Sequence, residues 1–517
     1  MSRGLGDVYK RQVLNEETAL RKVEAEYKAS RPGYLVFLVD GYDDVFGDML
    51  DSERARLLEG INRTLEDMIG RGSGFLRRVA SGRYIAVVEE RQMEQFANRG
   101  YDVLDKIRAL DPSVNLSLSI GIGRGAKTLR EAQDMAVQAL DMAQGRGGDQ
   151  AAEMTPDGFT FYGGVSHGVE KRSKVRSRIV ADQLVKLIKE ADHVVIMGHR
   201  MSDLDAIGSA EGVLRICKIC DVPAVIAVRR DATLAGSLID ALCRAGQKDD
   251  FIDPKDALPI ISKRTLCIVV DTYQVGLVES KDILEKCGKV AVIDHHRKGV
   301  GYIENPALVC HEPYSSSASE LVTELLQYVG ERDDKPNRIE AEGLLAGILL
   351  DTQDFTLHTG VRTFEAAAAL RRYGAETERV RRLFDVTMVE YNAKADLVEK
   401  AQMYKNCAIS IGGEVAPEAR VAIAQAANDL LRIQGVDASF VAVQVGNGVN
   451  VSARSMGAVN VQVIMESLGG GGHQTMAAAQ LKHITPQAAR SRIQDAIDQY
   501  YLSQKKTTPE ARPAKGE

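Results

Sequence analysis

The sequence lacks any run of about 18 consecutive apolar residues, the length that a membrane-spanning helix needs. Residues 1–12 contain charges and glycines but no apolar stretch, so they do not form a signal peptide. They resemble a translated cloning adapter more than native protein, and we expect the native N-terminus to be missing. From these absences we expect the chain as given to be cytoplasmic.

A disulfide framework and an excess of positive charge are absent as well. The seven cysteines are scattered, which favours a reducing compartment. Cys217 and Cys220 form a close pair but lack the second pair that a zinc site needs, so we expect them at buried helix positions. A net charge of −6 excludes a polybasic protein that binds long nucleic acids. An anionic substrate would therefore need a local positive site, which metal ions would supply.

The first third of the chain is predicted to be an α+β domain. Strand patterns at 34–40 and 115–123 and a hairpin pattern at 75–90 are interspersed with helical patterns at 51–70 and 128–144. The last third contains two strand patterns around Gly446-Asn447-Gly448, a good hairpin turn. A C-terminal helix is predicted to begin near Pro486.

The central third alternates short apolar strands with helical stretches, and this predicts an α/β fold. Nearly continuous apolar strands are typical of a parallel sheet that is covered by helices on both faces. The strand patterns are HVVIMGH at 193–199, VPAVIAV at 222–228, TLCIVVD at 265–271 and KVAVIDHH at 289–296.

Length and composition predict three domains, since a domain takes roughly 150 residues. A glycine-rich and then basic segment marks one boundary, and a polar tail with two prolines ends the chain. The predicted order is a linker over 1–30, the α+β domain over 31–155, a linker over 156–178, the parallel-sheet domain over 179–385, a smaller α+β domain over 386–502 and a disordered tail over 503–517.

Four separate segments carry carboxylates or imidazoles near the end of an apolar run. Parallel sheets bind ligands beyond the carboxyl ends of their strands, so we expect these side chains to converge in one crevice. Each residue alone is more often a cap, a turn residue or a hydrogen-bonded core residue. The four segments contain His199, Asp203 and Asp205; Asp271; Asp294, His295 and His296; and Asp351.

The chemistry of this set predicts a metal centre. Oxygen-rich ligands with a few imidazoles suit a pair of divalent cations, and Mn²⁺ fits best. Asp203, Asp205, Asp271 and Asp351 carry four negative charges, which two such cations cancel. Two ions about 3.5–4 Å apart bridge a hydroxide and polarise a phosphoryl oxygen. We therefore expect in-line attack of hydroxide on phosphorus.

A second group of residues, late in the chain, predicts a phosphate site. Consecutive glycines expose backbone amides and allow a phosphate to come close. An arginine can bind a phosphate through two hydrogen bonds. The alternative is a flexible glycine hinge beside an unrelated arginine. The candidate substrate-binding residues are Arg454, Ser455, Gly470, Gly471, Gly472 and His473.

With these motifs in order, residues 176–500 resemble the DHH phosphoesterase superfamily, named for the triplet seen here as Asp294-His295-His296. The segments Ser452–Ser455 and Gly469–His473 are similar to its DHH-associated substrate domain. The resemblance implies that His199, Asp203 and Asp271 hold one Mn²⁺. It implies that the other Mn²⁺ is held by Asp205, Asp271, His295 and Asp351.

The resemblance also implies roles for the remaining residues of the triplet. Asp294 would orient a ligand from outside the coordination shell. His296 would lie close to the scissile phosphate. Arg454 and the glycine segment that ends at His473 would bind the distal phosphate or nucleotide.

The front of the chain resembles a GGDEF domain, with AQGRGGDQ matching its closing segment. Its signature is degenerate, because Ser81-Gly82-Arg83-Tyr84-Ile85 stands where GGDEF would be. The two acidic residues that would hold Mg²⁺ are gone, so diguanylate cyclase activity is not expected. A degenerate GGDEF domain before DHH and DHH-associated domains is similar to the membrane-bound cyclic-di-AMP phosphodiesterases of Gram-positive bacteria.

This family implies hydrolysis of cyclic-di-AMP to 5′-pApA by a dinuclear Mn²⁺ centre. The alternatives are a hydrolase of very short RNAs, a phosphatase of 3′-phosphoadenosine phosphate, cyclic-di-GMP as the substrate, or a nucleotide sensor without turnover. The front domain would regulate the hydrolase or make it a homodimer. Full-length members of the family are anchored in the membrane with these domains in the cytoplasm.

Overall fold

The contacts within the computed structural model divide the chain into two compact units, Met1–Val380 and Arg381–Glu517. We call residues 20–163 the front domain, residues 174–380 the central domain, and the second unit the C-terminal unit. Each contains one six-stranded sheet. The structure describes residues 20–47, 49–70, 74–112, 114, 116–163, 174–299, 301–331, 334–414, 421–472 and 475–507.

The front domain is an α+β sheet domain, as predicted. Its strands are β1 (Pro32–Val39), β2 (Gly74–Ala80), β3 (Arg83–Glu89), β4 (Leu118–Gly123), β5 (Gln150–Thr155) and β6 (Gly158–Gly163). They are ordered β2-β3-β1-β4-β5-β6. Its helices are α1 (20–29), α2 (Tyr42–Phe46), α3 (Asp51–Ile69), α4 (Glu90–Asn98), α5 (Val103–Arg108) and α6 (Leu129–Gly145). The degenerate signature covers the β2–β3 turn and the start of β3, and Gly82 in the turn has a φ of 66°.

A hairpin occupies part of the segment that the sequence predicted as a linker over 156–178. β5 pairs antiparallel with β6, and Thr155 lies opposite Gly158. The Pro-Asp-Gly sequence at 156–158 is itself a turn signal, which composition alone does not distinguish from a linker. A helix then begins at Lys174, and residues 164–173 lie outside the described part of the chain.

The central domain has the predicted parallel α/β sheet. Its strands are β7 (Val194–Met197), β8 (Ala224–Ala227), β9 (Phe251–Ile252), β10 (Leu266–Val270), β11 (Lys289–Asp294) and β12 (Leu308–His311), ordered β12-β11-β10-β7-β8-β9. All five pairings are parallel. Its helices are α7 (Lys174–Glu190), α8 (Leu204–Ile219), α9 (Gly236–Arg244), α10 (Pro254–Ala257), α11 (Lys281–Lys286), α12 (Ala318–Leu326), α13 (Arg338–Thr352), α14 (Val361–Arg372) and α15 (Thr377–Arg382).

The middle of this sheet is buried on both faces, which explains its uninterrupted apolar strands. Every residue of β7 and β10 is buried. Because β11, β10 and β7 are adjacent and parallel, their carboxyl ends lie side by side at one edge. That edge is where polar side chains from three strand ends can meet.

The C-terminal unit contains the predicted hairpin and C-terminal helix. Its strands are β13 (Gln402–Tyr404), β14 (Cys407–Glu414), β15 (Ala438–Val445), β16 (Gly448–Ser455), β17 (Gly471–Gly472) and β18 (Met476–Lys482), ordered β13-β14-β15-β16-β18-β17. Its helices are α16 (Met388–Glu399), α17 (Val421–Leu430), α18 (Val461–Ser467) and α19 (Pro486–Thr507). α19 continues past Ser503, where the sequence predicted a disordered tail, because its helical pattern continues into the lysines before the first tail proline.

None of the helices in the described ranges is both long and apolar enough to cross a membrane. Two of them exceed 18 residues, α3 with 19 and α19 with 22. Both carry acidic and basic side chains along their length.

Candidate metal centre

The carboxyl ends of three adjacent strands carry predicted metal ligands. His199 follows β7, Asp271 directly follows β10, and His295 directly follows β11. The Asp271 N–H donates to the carbonyl of Ile293 at 2.9 Å, which fixes the end of β10 against β11. Asp271 has a φ of 57°, a left-handed conformation that aspartate tolerates better than most residues. The chain therefore turns sharply at this residue and leaves its carboxylate at the edge of the sheet.

Two helices supply the remaining carboxylates. Asp203 caps the N-terminus of α8, where its side chain accepts hydrogen bonds from the N–H groups of Asp205 and Ala206. Asp351 lies in the last turn of α13, so its apolar run is a buried helix rather than a strand. A Cβ on Gly347 of α13 would lie 2.6 Å from Oδ1 of Asp205. Only glycine at that position lets α13 pack directly against the start of α8.

The predicted ligands form overlapping groups. His199, Asp203 and Asp271 each offer a ligand atom within 4.8 Å of the others. Nε2 of His199 lies 3.8 Å from Oδ1 of Asp203 and 3.4 Å from Oδ2 of Asp271. Asp205, His295 and Asp351 form a second group. Nε2 of His295 lies 3.1 Å from Oδ2 of Asp351 and 3.9 Å from Oδ2 of Asp205.

Asp271 links the two groups through its two oxygens. While Oδ2 faces His199, Oδ1 lies 3.4 Å from Nε2 of His295. Oδ1 also lies 3.4 Å from Nδ1 of His296, and these three residues form a third ligand group. The resemblance implied only that His296 lies close to the scissile phosphate, so its approach to Asp271 is an addition.

The donor set fits divalent cations. Oδ1 of Asp271 and Nε2 of His295 are buried and make no hydrogen bond within the described structure. Buried polar atoms are almost always hydrogen-bonded, so two such atoms facing each other indicate that a further group satisfies them. Carboxylate oxygens with imidazole nitrogens are ligands for Mn²⁺ and similar ions.

Hydrogen bonds to Nδ1 orient the rings of two histidines. Nδ1 of His199 lies 2.8 Å from the carbonyl oxygen of Arg200, which only accepts, so Nδ1 carries the proton. Nε2 of His199 is then available as a ligand. Nδ1 of His296 lies 2.9 Å from Oδ1 of Asp294, a buried carboxylate that orients the ring from behind.

Without a cation, the charges of the site shift the pKa values of its members in opposite directions. Burial lowers the pKa of His199, but the carboxylates of Asp203 and Asp271 outweigh burial and raise it to about 12. Burial raises the pKa of Asp271, but the surrounding histidines outweigh it and hold the pKa well below its usual range. Burial and the neighbouring carboxylates hold the pKa of Asp205 well above its usual range. The carboxylates and imidazoles of the site therefore shift one another's pKa values.

The N-terminus of α12 holds Asp205, and the sequence analysis did not find this contact. The Asp205 carboxylate accepts from the N–H groups of Ala318 at 2.7 Å and Ser319 at 2.8 Å. Ser317 caps the same helix by accepting from the N–H of Glu320. The run of serines before α12 is a helix-start signal from which an anion-binding helix end could have been predicted.

The predicted phosphate-binding residues lie in the C-terminal unit. Arg454 is on β16, where burial lowers its pKa to about 10 and its Nε makes no hydrogen bond within the described residues. The hydroxyl of Ser455 accepts from the N–H of Gly457 at 3.0 Å. A Cβ on Gly470 or Gly472 would lie 2.1 or 2.4 Å from β18 backbone atoms, so these glycines are required for packing. Gly471 has open space at its Cβ position, and His473 lies outside the described residues.

Three family profiles match the chain. The profile described as "Cyclic-di-AMP phosphodiesterase GdpP-like, GGDEF domain" matches residues 37–158. The "DHH family, N-terminal domain" matches residues 193–348, and the "DHHA1 domain" matches residues 416–502. These matches confirm the resemblance that the motifs indicated for the front, central and C-terminal parts of the chain.

Curated relatives match over most of the chain. The chain is 41% identical over 496 residues to the cyclic-di-AMP phosphodiesterase GdpP of Geobacillus thermodenitrificans, covering 94% of this chain and 75% of that protein. It is 40% identical over 492 residues to the cyclic-di-AMP phosphodiesterase GdpP of Bacillus subtilis, covering 93% of this chain and 74% of that protein. Among solved structures, an exopolyphosphatase-related protein from Bacteroides fragilis has a TM-score of 0.54 and 19% identity, covering 63% of this chain and 98% of that chain. This last likeness shows the fold alone.

Proposed function

The chain belongs to the family of GdpP-like cyclic-di-AMP phosphodiesterases, and we propose that it hydrolyses cyclic-di-AMP to 5′-pApA with two Mn²⁺ ions. In this reaction water adds to phosphorus, the bond from phosphorus to a ribose 3′ oxygen breaks, and that oxygen leaves as a hydroxyl. The observation that carries the proposal is the division of Asp271 between two ligand groups, with an unpaired buried nitrogen of His295 beside it. That arrangement suits a shared ligand between two cations.

We assign the ligands by the groups they form. His199, Asp203 and Asp271 would hold one ion, and Asp205, Asp271, His295 and Asp351 the other. Two bound divalent ions would polarise the phosphoryl oxygen as Lewis acids and would lower the pKa of an attacking water. The α12 amides that bind Asp205 keep one carboxylate of the second group in place before any ion binds.

His296 and Asp294 would act on the substrate side of the centre. Burial lowers the pKa of His296, but the Asp294 carboxylate outweighs it and raises the pKa, so the imidazolium form is favoured. An imidazolium held through Nδ1 by Asp294 can donate from Nε2 to the scissile phosphate or to the departing ribose oxygen. Asp294 therefore acts as the residue that fixes the direction of this donor.

In the C-terminal unit, Arg454 and Ser455 are the residues that we propose bind the distal phosphate or nucleotide. The unpaired Nε of Arg454 and the lowering of its pKa by burial both favour a bound anion. Gly471, which has room for a close approach, is a better candidate than Gly470 and Gly472 for contact with phosphate. For His473 we propose the role that the resemblance implies, which is binding of the distal phosphate or nucleotide. We also propose that the protein forms a homodimer and that these domains lie in the cytoplasm.

The test is a comparison of three substrates with purified protein. Cyclic-di-AMP, cyclic-di-GMP and pApA are each incubated with Mn²⁺ or with excess chelator, and products are separated by chromatography. We expect Mn²⁺-dependent conversion of cyclic-di-AMP to pApA, with slower reaction of the other two. Faster cleavage of pApA would instead favour a hydrolase of short oligonucleotides. Tight binding of cyclic-di-AMP without turnover would identify a sensor and contradict the proposal.

A further inference from the structure

The front domain touches the loop that carries the two central histidines. The N–H of Lys298, two residues after His296, donates to the carbonyl of Gly145 at 2.7 Å. Gly145 is the last residue of α6 in the front domain. A Cβ on Gly145 would lie 2.7 Å from both Cβ and Cδ of Lys298. Because Cβ of Lys298 cannot move without its backbone, this close approach requires glycine.

The Lys298 side chain is buried, with 7% of the residue exposed, although it is a lysine. Its Nζ lies 4.0 Å from the ring centre of Tyr302 and 5.1 Å from that of Tyr273. The same Nζ lies 3.4 Å from Oδ2 of Asp141 on α6. Burial of a charged side chain between rings and a carboxylate is typical of a specific contact rather than of a solvated surface.

The rings under Lys298 connect it to both segments of the metal centre. Tyr273 comes two residues after Asp271 in the chain, and it stacks on Tyr302 and on His311. Nε2 of His311 donates to the carbonyl oxygen of His296 at 2.6 Å. Lys298 therefore contacts the ring of Tyr273, two residues after Asp271, and that ring stacks on the His311 ring that binds the carbonyl of His296.

A second contact lies beside the first. A Cβ on Gly147 of the front domain would lie 3.4 Å from the hydroxyl oxygen of Tyr314 in the central domain. Burial raises the pKa of Tyr314 to about 12, with the carboxylates of Asp40 and Asp149 adding to the effect. The front domain therefore meets the central domain at a second point, beside the contact of Gly145 with Lys298.

We propose that Lys298 is a positioning residue through which the end of α6 holds the loop over 294–299 and so fixes His295 and His296 for hydrolysis. The front domain would then support the reaction through its contact with this loop, and this support would not depend on a ligand bound to the front domain. This inference rests on the proposed function. Small displacements of catalytic groups have large effects, since a shift of about 1 Å can cost on the order of 100-fold in rate.

The test combines kinetics with hydrogen exchange on the full chain. Gly145→Val and Lys298→Ala are expected to lower kcat for cyclic-di-AMP by about tenfold or more, with KM within about twofold of wild type, because binding residues are untouched. Gly145→Val should also speed deuterium uptake in peptides that cover 294–299, where the Lys298 amide loses its acceptor. Asp141→Ala should change kcat by less than about threefold, since its side chain is 71% exposed. Asp134→Ala, also exposed on α6, is the matched control and should equal wild type.

Each outcome decides the inference. Wild-type kcat in Lys298→Ala would overturn it, and so would unchanged deuterium uptake over 294–299 in a folded Gly145→Val variant. If Gly145→Val does not fold, the kcat of Lys298→Ala decides alone. If the wild-type protein hydrolyses none of the three substrates, the proposed function fails, and the exchange measurement still tests the contact. Restoration of kcat by Lys298→Arg, which keeps the charge, would show that the lower kcat of Lys298→Ala comes from the loss of the positioning role and not from a loss of packing.

Discussion

Two aspartates directly follow a central strand of their sheets, and their surroundings differ. Asp40 follows β1 in the front domain, and its carboxylate accepts from the hydroxyls of Ser117 at 2.9 Å and Ser119 at 2.6 Å and from the N–H of Asp149 at 3.0 Å. Asp271 follows β10 and faces three histidines, and its Oδ1 makes no hydrogen bond within the described structure. Position at a strand end therefore does not by itself make a metal ligand.

The difference lies in what neutralises the carboxylate. Hydroxyl and amide donors bind the Asp40 carboxylate, so a cation is not needed there. Around Asp271 the neighbours are other carboxylates and imidazoles, which could hold a metal ion together with it. This comparison agrees with the loss of acidic residues from the degenerate signature at Ser81–Ile85. It supports our proposal that metal-dependent chemistry takes place in the central domain.

The largest effect is expected from removing the carboxylate shared by the two ligand groups. Asp271→Ala should lower hydrolysis of cyclic-di-AMP by more than ~100-fold, because loss of an outer-shell partner alone costs about 10–100-fold. Asp294→Ala, which removes such an outer partner, should fall within that smaller range. Initial rates at saturating Mn²⁺ measure both. Equal activity of Asp271→Ala and wild type would remove the dinuclear mechanism.

The second prediction concerns the free energy of unfolding with and without Mn²⁺. An ion at 100 times its Kd stabilises the native state by about 2.7 kcal/mol. The carboxylates of Asp203 and Asp271 stabilise the protonated form of His199. In the metal-free protein this stabilisation is fully present below the unfolded-state pKa of about 6.5, and it is lost as the pH rises toward the folded-state pKa of about 12. Over the same interval protons compete less for the ligands, so Mn²⁺ binds more tightly.

The stabilisation by Mn²⁺ should therefore grow from pH 6.5 to pH 8.5. Thermal unfolding midpoints with Mn²⁺ and with chelator, measured at three pH values, give the difference directly. Asp271→Ala should abolish the difference, whereas Asp40→Ala should leave it at the wild-type value. A difference that shrinks as the pH rises would contradict the assignment of histidine ligands.

Much of the candidate metal centre was predictable from the sequence, because the strand patterns agreed with the expected convergence of the strand ends. β7, β10 and β11 are continuous apolar runs, and an aspartate or histidine follows each, so a shared edge was predictable from the rule for parallel sheets. The resemblance to DHH phosphoesterases supplied the division of ligands into two groups. The structure brings His199, Asp203 and Asp271 together, and likewise Asp205, His295 and Asp351, whereas it groups Asp271 with His295 and His296.

Features that depend on packing between distant elements were not predictable. Asp351 lies on a buried helix, and an apolar run that is buried on all sides has the same composition in a helix as in a strand. The bonds from the α12 amides to Asp205 join residues more than 110 positions apart. The hydrogen bonds to the Asp40 carboxylate come in part from Ser117 and Ser119. No local sequence pattern specifies how these serines line up opposite β1.

The third prediction tests the other side of the comparison. Asp40→Ala leaves two hydroxyls and one N–H without their acceptor and should lower the free energy of unfolding by about 2 kcal/mol, since hydrogen bonds to charged groups contribute about 1.5–3 kcal/mol each and part is recovered by water. Urea denaturation of the full chain measures the change. A matched control is Asp67→Ala on the exposed face of α3, which should stay within about 0.5 kcal/mol of wild type. An unchanged midpoint for Asp40→Ala would mean that these donors do not stabilise the fold.

The smallest effect concerns a buried carboxyl that neither hydrogen-bond donors nor ligand groups neutralise. Glu211 on α8 is 1% exposed, and neither of its oxygens makes a hydrogen bond within the described residues. Burial raises its pKa to about 8, with the nearby Glu340 and Asp250 adding to the effect. The group is therefore protonated at neutral pH, a third way to bury an acid.

Replacement of this carboxyl by an amide should stabilise the protein in one pH range only. The unfolded glutamate ionises near pH 4.5 while the folded one keeps its proton to about pH 8, so the stability of the wild-type protein falls as the pH rises through this interval. Glu211→Gln should have the same free energy of unfolding as wild type near pH 4.5 and a larger one at pH 8. Glu342→Gln is the matched control, because Glu342 is equally buried but lies 2.9 Å from Nε of Arg379. That variant should lose stability at both pH values. If Glu211→Gln were no more stable than wild type at pH 8, the Glu211 carboxyl would be ionised and paired. The contrast between this protonated acid and the proposed cation-binding acids around Asp271 would then fail.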